Sequence, residues 1–191
     1  MILTKAQLRS YSGIDRLTEA RLETRYFSSY EANVRVFLSH KHTDKKELFA
    51  VKKILEDIGA KPYVDWMDKS LPSETSAETA DEIKRKIRQS NKFVFIATDL
   101  ALISPWCNWE IGYSDSLKYD SSSMALFAVS ENDGTWKGNE YMRLYPVIEY
   151  ENGTTKYSNG IIIPKGYYVE YPCDENNQRH IVPLKDWLLR R

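Results

Sequence analysis

The chain has 191 residues, and its 27 basic and 27 acidic side chains give a formal net charge of zero. This balance excludes the broad basic surface with which many proteins bind nucleic acid. The longest apolar run, Met124 to Val129, is far shorter than the ~20 residues that span a bilayer. The N-terminus turns polar too early for a signal-peptide core, and two cysteines are typical of reduced thiols. We therefore expect a cytoplasmic protein with no membrane or nucleic-acid partner.

Residues 1–33 differ in character from the rest of the chain. They are polar and mixed in charge, with a weak helical stripe through Ile14, Leu17 and Leu22. We interpret them as a short helical N-terminal extension, followed by one domain over residues 34–191.

Strands and helices alternate from residue 34 onward. Val34–Ser39 is rich in β-branched and aromatic residues and predicts a buried strand. A capping box from Asp44 to Glu47 then opens a helix, which Gly59 ends. The segment from Pro62 to Asp65 predicts a second strand.

The middle of the chain repeats this pattern. After a turn-rich stretch, residues 66–73, a capping box at Thr75–Glu78 predicts a second helix. Lys92 to Thr98 predicts a third buried strand. Ser104 and Pro105 then form a typical helix start, a hydroxyl N-cap followed by proline at the first helical position.

The last part of the chain contains further strands. Met124–Ser130 and Tyr145–Tyr150 predict the fourth and fifth strands. The turn dipeptides Asn152-Gly153 and Asn159-Gly160 flank a predicted β excursion near the C-terminus. A short helical piece containing Trp187 ends the chain.

This alternation predicts an α/β fold with a doubly wound, flavodoxin-like parallel sheet of strand order 2-1-3-4-5. Ligands of such sheets bind beyond the carboxyl ends of the strands. Three segments should meet there: residues 39–43, 66–73 and 99–110. Function is therefore expected in these three loops.

Several familiar chemistries are absent from the sequence. It contains no GxxxxGK[ST], GxGxxG or GxSxG motif, and the first strand ends without the acidic cluster of a phosphotransfer receiver. His40, His42 and His180 lack a zinc-like set of companions. We therefore predict no metal site and interpret His40 and His42 as surface or turn residues.

The helix start Ser104-Pro-Trp-Cys-Asn-Trp-Glu110 combines aromatic rings with a carboxylate. Trp106 and Glu110 are four residues apart and share a helical face, and Trp109 and Tyr113 repeat the spacing on a neighbouring stripe. One interpretation is core packing of the tryptophans beside a solvated glutamate. The other is a tuned catalytic carboxylate against an apolar wall.

Four segments resemble successive blocks of a TIR domain in order and spacing. They are VRVFLSHKHTD at 34–44, PYVD at 62–65, SNKFVFIAT at 90–98 and SPWCNWE at 104–110. The FLSH strand end and the S-x-W-C-x-x-E helix start are specific as a pair. The resemblance covers residues 34–130 and leaves the extension and the tail outside it.

The resemblance implies an enzyme that cleaves NAD as its substrate and needs no cofactor. It places the essential glutamate on Glu110 and substrate contacts on Leu38, Ser39, His40, Lys41, Trp66 and Trp106. For Trp66, anchoring of its loop is an alternative to stacking, and for His40 and Lys41 the alternative is a solvated loop. One departure is residues 69–73, Lys-Ser-Leu-Pro-Ser, where the family usually carries a glycine.

One carboxylate suffices for this chemistry, because the nicotinamide ring of NAD is already cationic before it leaves and needs no general acid. An ionised, partly exposed Glu110 would stabilise the oxocarbenium-like transition state by its charge. Its replacement by Gln is then expected to leave the melting temperature nearly unchanged.

The function expected from the resemblance is that of an NAD glycohydrolase or ADP-ribosyl cyclase. It would release nicotinamide and either ADP-ribose or a cyclic isomer, as a signal or as NAD-depleting defence, in a homo-oligomer built by TIR–TIR contacts. Two alternatives stay open: a non-catalytic TIR adaptor, and a nucleoside deoxyribosyltransferase-like enzyme.

Overall fold

A computed structural model describes residues 1–13, 34–68, 76–120, 122–132, 135–175 and 177–190. The chain begins with a short strand, β1 (Leu3–Thr4), and a helix, α1 (Lys5–Ser12). The elements that follow are β2 (Val34–Ser39), α2 (Lys45–Asp57), β3 (Ala60–Tyr63), a first 3-10 helix (Asp65–Met67), α3 (Ala77–Gln89), β4 (Lys92–Ala97), α4 (Asp99–Leu102), α5 (Pro105–Lys118), β5 (Met124–Ser130), a second 3-10 helix (Glu140–Leu144), β6 (Val147–Glu151), β7 (Gly166–Tyr171), β8 (His180–Pro183) and α6 (Leu184–Leu189).

The sheet confirms the predicted α/β fold. Its parallel part runs β3-β2-β4-β5-β6, which is the predicted order 2-1-3-4-5. Two antiparallel strands, β7 and β8, extend the sheet beyond β6. The predicted β excursion contains an isolated bridge between Lys156 and Ile162 and leads into β7.

The hydrophobic core lies on both faces of the sheet. One cluster joins α1, α2 and α6 to the sheet, with Trp187 fully buried in it. The other joins α3 and α5, through Ile83, Ile87 and Ile111. Each side chain of β4 is buried, as expected for the central strand of a parallel sheet covered on both faces.

The N-terminal segment is built into this fold. β1 pairs in parallel with the carboxyl end of β5, and Leu3 and Leu8 lie in the core. The N-terminal ammonium donates to the Tyr150 carbonyl at 2.8 Å, and Arg9 forms an ion pair with Glu47. The helical stripe that the sequence predicts through residues 14–22 lies outside the described residues.

Three predicted helix starts are wrong in detail. Ser104 is the N-cap of α5, but its hydroxyl makes no cap hydrogen bond. Asp44 is the N-cap of α2, but its side chain makes no cap hydrogen bond and accepts one from the Thr98 hydroxyl instead. The N-cap of α3 is Ser76, one residue beyond the predicted Thr75, and its hydroxyl accepts from the Thr79 backbone N–H at 3.2 Å. Tertiary partners thus decide which of several polar residues caps a helix.

Among the described residues, no helix combines the length and the apolar character needed to cross a lipid bilayer.

Candidate active site

The candidate site lies where the carboxyl end of β2 meets the second turn of α5. Ser39 is the last residue of β2, and its hydroxyl donates to Oε2 of Glu110 at 2.5 Å. The two residues are 71 positions apart in sequence. Two of the three segments that the sequence predicts to converge are therefore joined by a direct hydrogen bond.

Glu110 is buried, with 2% of its surface exposed. The expectation of a partly exposed side chain is thus wrong. The reason lies in the helical period, since Cys107, Glu110, Ile111 and Ser114 form the inward stripe of α5. The carboxyl group is carried into the interior by the same stripe that packs this helix on the sheet.

This position changes the titration of the carboxyl group. Burial and, to a smaller extent, the nearby negative charge of Asp65 together raise the pKa of Glu110 to about 8, against the opposing effect of hydrogen bonds from Ser39 and Trp106. The expectation of an ionised glutamate is therefore corrected for the ligand-free protein, in which the neutral acid predominates at pH 7.

An aromatic row begins beside Glu110. The rings of Trp106 and Trp109 stack with centroids 4.9 Å apart, and Trp109 stacks on Tyr113 at 6.1 Å. All three rings are partly buried against the core around α3 and α5. Trp106 therefore packs against the core and also hydrogen-bonds to Glu110.

His40 is buried, in contrast to the solvated position considered from sequence. Its Nδ1 lies 3.1 Å from the Leu38 carbonyl, which can only accept, so Nδ1 carries the proton. Burial lowers the pKa of this imidazole. The Cys107 thiol donates to the His40 carbonyl at 3.3 Å and ties this loop to α5. Lys41, the next residue, is half-buried.

The other two predicted substrate-contact residues, Leu38 and Trp66, differ in what the structure shows of them. The side chain of Leu38 is 1% exposed within the core, so a contact from this residue would come from its backbone. The backbone of Trp66 lies in the 3-10 helix after β3, and its side chain is outside the described part. Residues 69–73, where the family glycine is missing, also lie outside it.

Asp65 is a site residue that the sequence analysis did not single out. It begins the 3-10 helix after β3 and is 7% exposed. Its Oδ2 lies 3.5 Å from His42 Nε2, and this contact is the main cause of the raised pKa of His42. The sequence did contain a clue to Asp65, because this residue ends the PYVD block of the family resemblance. Its proximity to Glu110, however, is visible only in the folded structure.

A second polar group was also missed, at the carboxyl ends of β4 and β5. The Thr98 hydroxyl donates to the buried Asp44 carboxylate, and the Lys5 ammonium lies 3.9 Å from Asp44 and 2.5 Å from Glu131. The N-terminal segment thus reaches the same edge of the sheet as Glu110.

An open groove of about 750 Å³ lies elsewhere, between α3 and α5. Its lining is mostly charged and of both signs, comprising Glu78, Asp81, Glu82, Lys84, Arg85, Arg88 and Tyr113. Glu110 is not among these residues, so this groove is separate from the candidate site.

Comparison with known proteins identifies relatives of this chain. The TIR domain family matches residues 36–147. Over 188 residues the chain is 28% identical to the "Probable 3' cyclic ADP-D-ribose synthase ThsB'" of Bacillus cereus (strain MSX-D12), covering 96% of this chain and 91% of the relative. It is 32% identical over 101 residues to the "Putative cyclic ADP-D-ribose synthase TIR2" of Cytobacillus dafuensis, covering 51% of this chain and 25% of that protein.

A solved structure of a 2-deoxyribosyltransferase from Bacillus psychrosaccharolyticus is also similar, at 17% identity and a TM-score of 0.46, over 69% of this chain and 98% of that one. This likeness is too low to bear on function. The family match, by contrast, covers the parallel strands from β2 to the start of β6 and includes both Ser39 and Glu110. The chain therefore belongs to the TIR domain family.

Proposed function

We propose that the protein is an NAD-cleaving TIR enzyme, an NAD nucleosidase or cyclase that breaks the bond between nicotinamide and ribose. The observation that carries this proposal is the buried Glu110 carboxyl, held by Ser39 and Trp106 at the carboxyl edge of the sheet. The names of the relatives, both cyclic ADP-D-ribose synthases, support the same chemistry.

The reaction needs one carboxylate. As the glycosidic bond breaks, nicotinamide leaves as a neutral base, and positive charge moves onto the ribose. A carboxylate placed beside the ribose stabilises this charge, and a preorganised, water-poor site makes the interaction stronger. Glu110 has this role in the proposal, and the Ser39 hydroxyl fixes the direction of its oxygen.

Glu110 must lose its proton before it can act in this way. Its pKa of about 8 in the ligand-free protein means that the neutral form predominates at pH 7. A bound NAD brings the cationic nicotinamide ring to the site, and an opposite charge within about 4–6 Å favours the ionised carboxylate. Substrate binding and proton release are therefore coupled in this mechanism.

The products in the proposal are nicotinamide and either ADP-ribose or a cyclic isomer. Water as acceptor gives ADP-ribose, and a hydroxyl of the same molecule gives the cyclic isomer. Ser39, His40 and Lys41 are proposed to meet the diphosphate, and Trp66 and Trp106 to contact the rings. A signalling or NAD-depleting defence role follows from this activity.

The direct test is incubation of the purified protein with NAD and chromatographic separation of the products. We expect nicotinamide to appear in equal amount with ADP-ribose or a cyclic isomer. A folded protein that releases no nicotinamide at any concentration tested would favour the non-catalytic adaptor. Cleavage of deoxynucleosides in place of NAD would favour the deoxyribosyltransferase-like alternative.

Assembly is part of the proposal. We propose that a second copy of the chain contributes to the working site through TIR–TIR contacts. Nicotinamide release is then expected to rise faster than linearly with protein concentration. Specific activity that stays constant from micromolar to nanomolar protein would contradict a required second copy.

A further inference from the structure

Three potential metal ligands meet beside the candidate site. His40 and His42 follow β2, and Asp65 begins the 3-10 helix after β3. One ligand atom of each lies within 4.8 Å of the others. His42 Nε2 is 3.5 Å from Asp65 Oδ2, and His40 Nε2 is 4.0 Å from Asp65 Oδ1. Two loops that are distant in sequence thus bring two imidazoles and one carboxylate together.

The His40 ring is oriented as a metal ligand would be. Its Nδ1 donates to the Leu38 carbonyl, which leaves the lone pair of Nε2 facing Asp65. The side chain is 1% exposed, and within the described part of the chain Nε2 has no hydrogen-bond partner. Buried polar atoms nearly always have a hydrogen-bond partner or bind an ion, so a bound species is expected at this nitrogen. Metal-binding histidines commonly donate their other ring N–H to a carbonyl in this way.

We propose that His40, His42 and Asp65 bind one divalent transition-metal ion of the Zn²⁺ type. Imidazole nitrogen and carboxylate oxygen are ordinary Zn²⁺ ligands at about 2.0–2.2 Å. Two such atoms on one tetrahedral ion are about 3.4 Å apart. The present distances are 3.5 Å to Asp65 Oδ2, 4.0 Å to Asp65 Oδ1 and at most 4.8 Å between any two of the three ligand atoms, so binding requires the ligands to move together by up to about 1.4 Å. The His42 side chain is 64% exposed and can supply the remaining movement.

Two histidines and one carboxylate leave at least one position of the ion open, as in catalytic rather than structural sites. The ion would sit near Glu110, because His40 directly follows Ser39, whose hydroxyl donates to Glu110, and because the Cys107 thiol of the same helix donates to the His40 carbonyl. A dication there opposes the cationic nicotinamide and the positive charge that develops on ribose. The bound ion therefore inhibits NAD cleavage, a consequence that rests on the proposed function.

The first test measures binding and needs no activity. Untagged protein, stripped with a chelator, is titrated with Zn²⁺ by calorimetry and with Co²⁺ by visible absorption. We expect one ion per chain, and we expect His42→Ala to weaken the affinity about 10-fold or more, because it removes a direct ligand. His42 is exposed, so this variant should fold, and its melting curve without metal checks this.

The matched control removes the other accessible metal-binding groups. Cys173 is exposed, and His180 is an exposed histidine that lies on a Tyr171 ring. The variant C173S/H180A should bind Zn²⁺ as the parent does, and Asp65→Asn should weaken binding as His42→Ala does. Equal affinity in the parent and His42→Ala, or binding lost in C173S/H180A, would overturn the site. After either result, the partner of His40 Nε2 would be assigned to an ordered water molecule and not to a metal ion.

The second test separates the site from its consequence. If NAD is cleaved, Zn²⁺ should slow nicotinamide release by the parent, and His42→Ala should need about 10-fold more Zn²⁺ for the same inhibition. Inhibition that is identical in both proteins would refute the inhibitory role. Zn²⁺ binding with the expected variant pattern in a protein that cleaves no NAD would support the metal site and refute only the proposed function.

Discussion

The two edges of the sheet each bury an ionisable group whose pKa is near 8. At the carboxyl edge burial raises the pKa of Glu110 to about 8, and at the amino edge burial lowers the pKa of Lys92 to about 8. Each group also faces a like charge, Asp65 in the first case and Lys118 in the second. The shifted pKa alone therefore does not distinguish a reactive site from a structural one.

The surroundings make the distinction. Lys92 donates to the Ser123 hydroxyl at 3.2 Å and lies 4.8 Å from the Trp187 ring, which α6 seals over the strand. Glu110 lies instead beside the half-buried Trp106 and near loops that carry the exposed His42. A group with a shifted pKa thus indicates function when exposed elements beside it give a ligand access to it.

The largest effect is expected for Glu110→Gln on catalysis. The amide keeps the shape and the hydrogen bond to Ser39 but cannot supply negative charge to the ribose. Loss of a preorganised electrostatic contact of this kind costs about 10²–10³ in rate, measured as nicotinamide release. The control is Glu78→Gln, an exposed glutamate of α3, which should keep the parental rate. A folded Glu110→Gln protein with the parental rate would remove the assignment.

The same substitution should stabilise the protein at neutral pH. The pKa of Glu110 is raised from 4.5 to about 8, so the folded state binds more protons than the unfolded state, and stability falls as pH rises between these values. The Glu110→Gln protein has no titrating group at this position and does not lose stability over this pH range. Its unfolding free energy should therefore exceed that of the parent by about 2–4 kcal/mol at pH 7 and by about 1 kcal/mol at pH 5. Denaturant unfolding at both pH values tests this, and an equal difference at both would contradict the raised pKa.

Lys92→Met makes the opposite comparison at the amino edge. The pKa of Lys92 is lowered from 10.5 to about 8, so the parent should gain stability as pH rises through this interval, whereas the methionine variant should not. Nicotinamide release at pH 7.5 should stay unchanged, because the residue lies at the far edge of the sheet. Loss of activity in a well-folded Lys92→Met protein would show that the two edges are not independent.

Asp65→Asn should shift the pH dependence of catalysis. If Glu110 must be ionised, kcat/KM measured with a chelator present rises with pH towards the pKa of the free enzyme, about 8. Removing the negative charge of Asp65 lowers the pKa of Glu110, so the midpoint should move to lower pH. An unchanged midpoint would mean that another group controls the profile.

The smallest effect is expected along the aromatic row. Trp106→Ala should lose about 0.5–1.5 kcal/mol of substrate or transition-state binding, and Trp106→Phe should keep the stacking part of it while losing the hydrogen bond to Glu110. Trp109→Ala removes the next ring of the same stack and should leave kcat/KM nearly unchanged. Equal losses for Trp106→Ala, Trp106→Phe and Trp109→Ala, with lowered melting temperatures, would assign these rings to packing alone.

Much of the fold could be predicted because it depends on local patterns. The runs at Val34–Ser39 and Lys92–Thr98 predict buried strands, and the alternation with helices predicts their order. The short β1 could not be predicted, since two residues carry no periodic signal, and they pair with Val129 and Ser130, where β5 extends beyond its pairing with β4 and β6. Asp44 and Thr75 both satisfy the sequence rules for helix caps. The Asp44 side chain instead accepts a hydrogen bond from Thr98, and the N-cap of α3 is the next residue, Ser76.

The sequence by itself determined the parallel sheet and the edge at which function is sought, because periodicity is a property of neighbouring residues. The choice of Glu110 came from the resemblance of its motif to the TIR domain family. Tertiary structure alone decided that Glu110 is buried, that its pKa is raised and that Asp65 lies near it. It also brought His40, His42 and Asp65 within 4.8 Å of one another. Burial and charge proximity depend on residues that are distant in the chain, and these are the quantities that set a pKa or build a metal site.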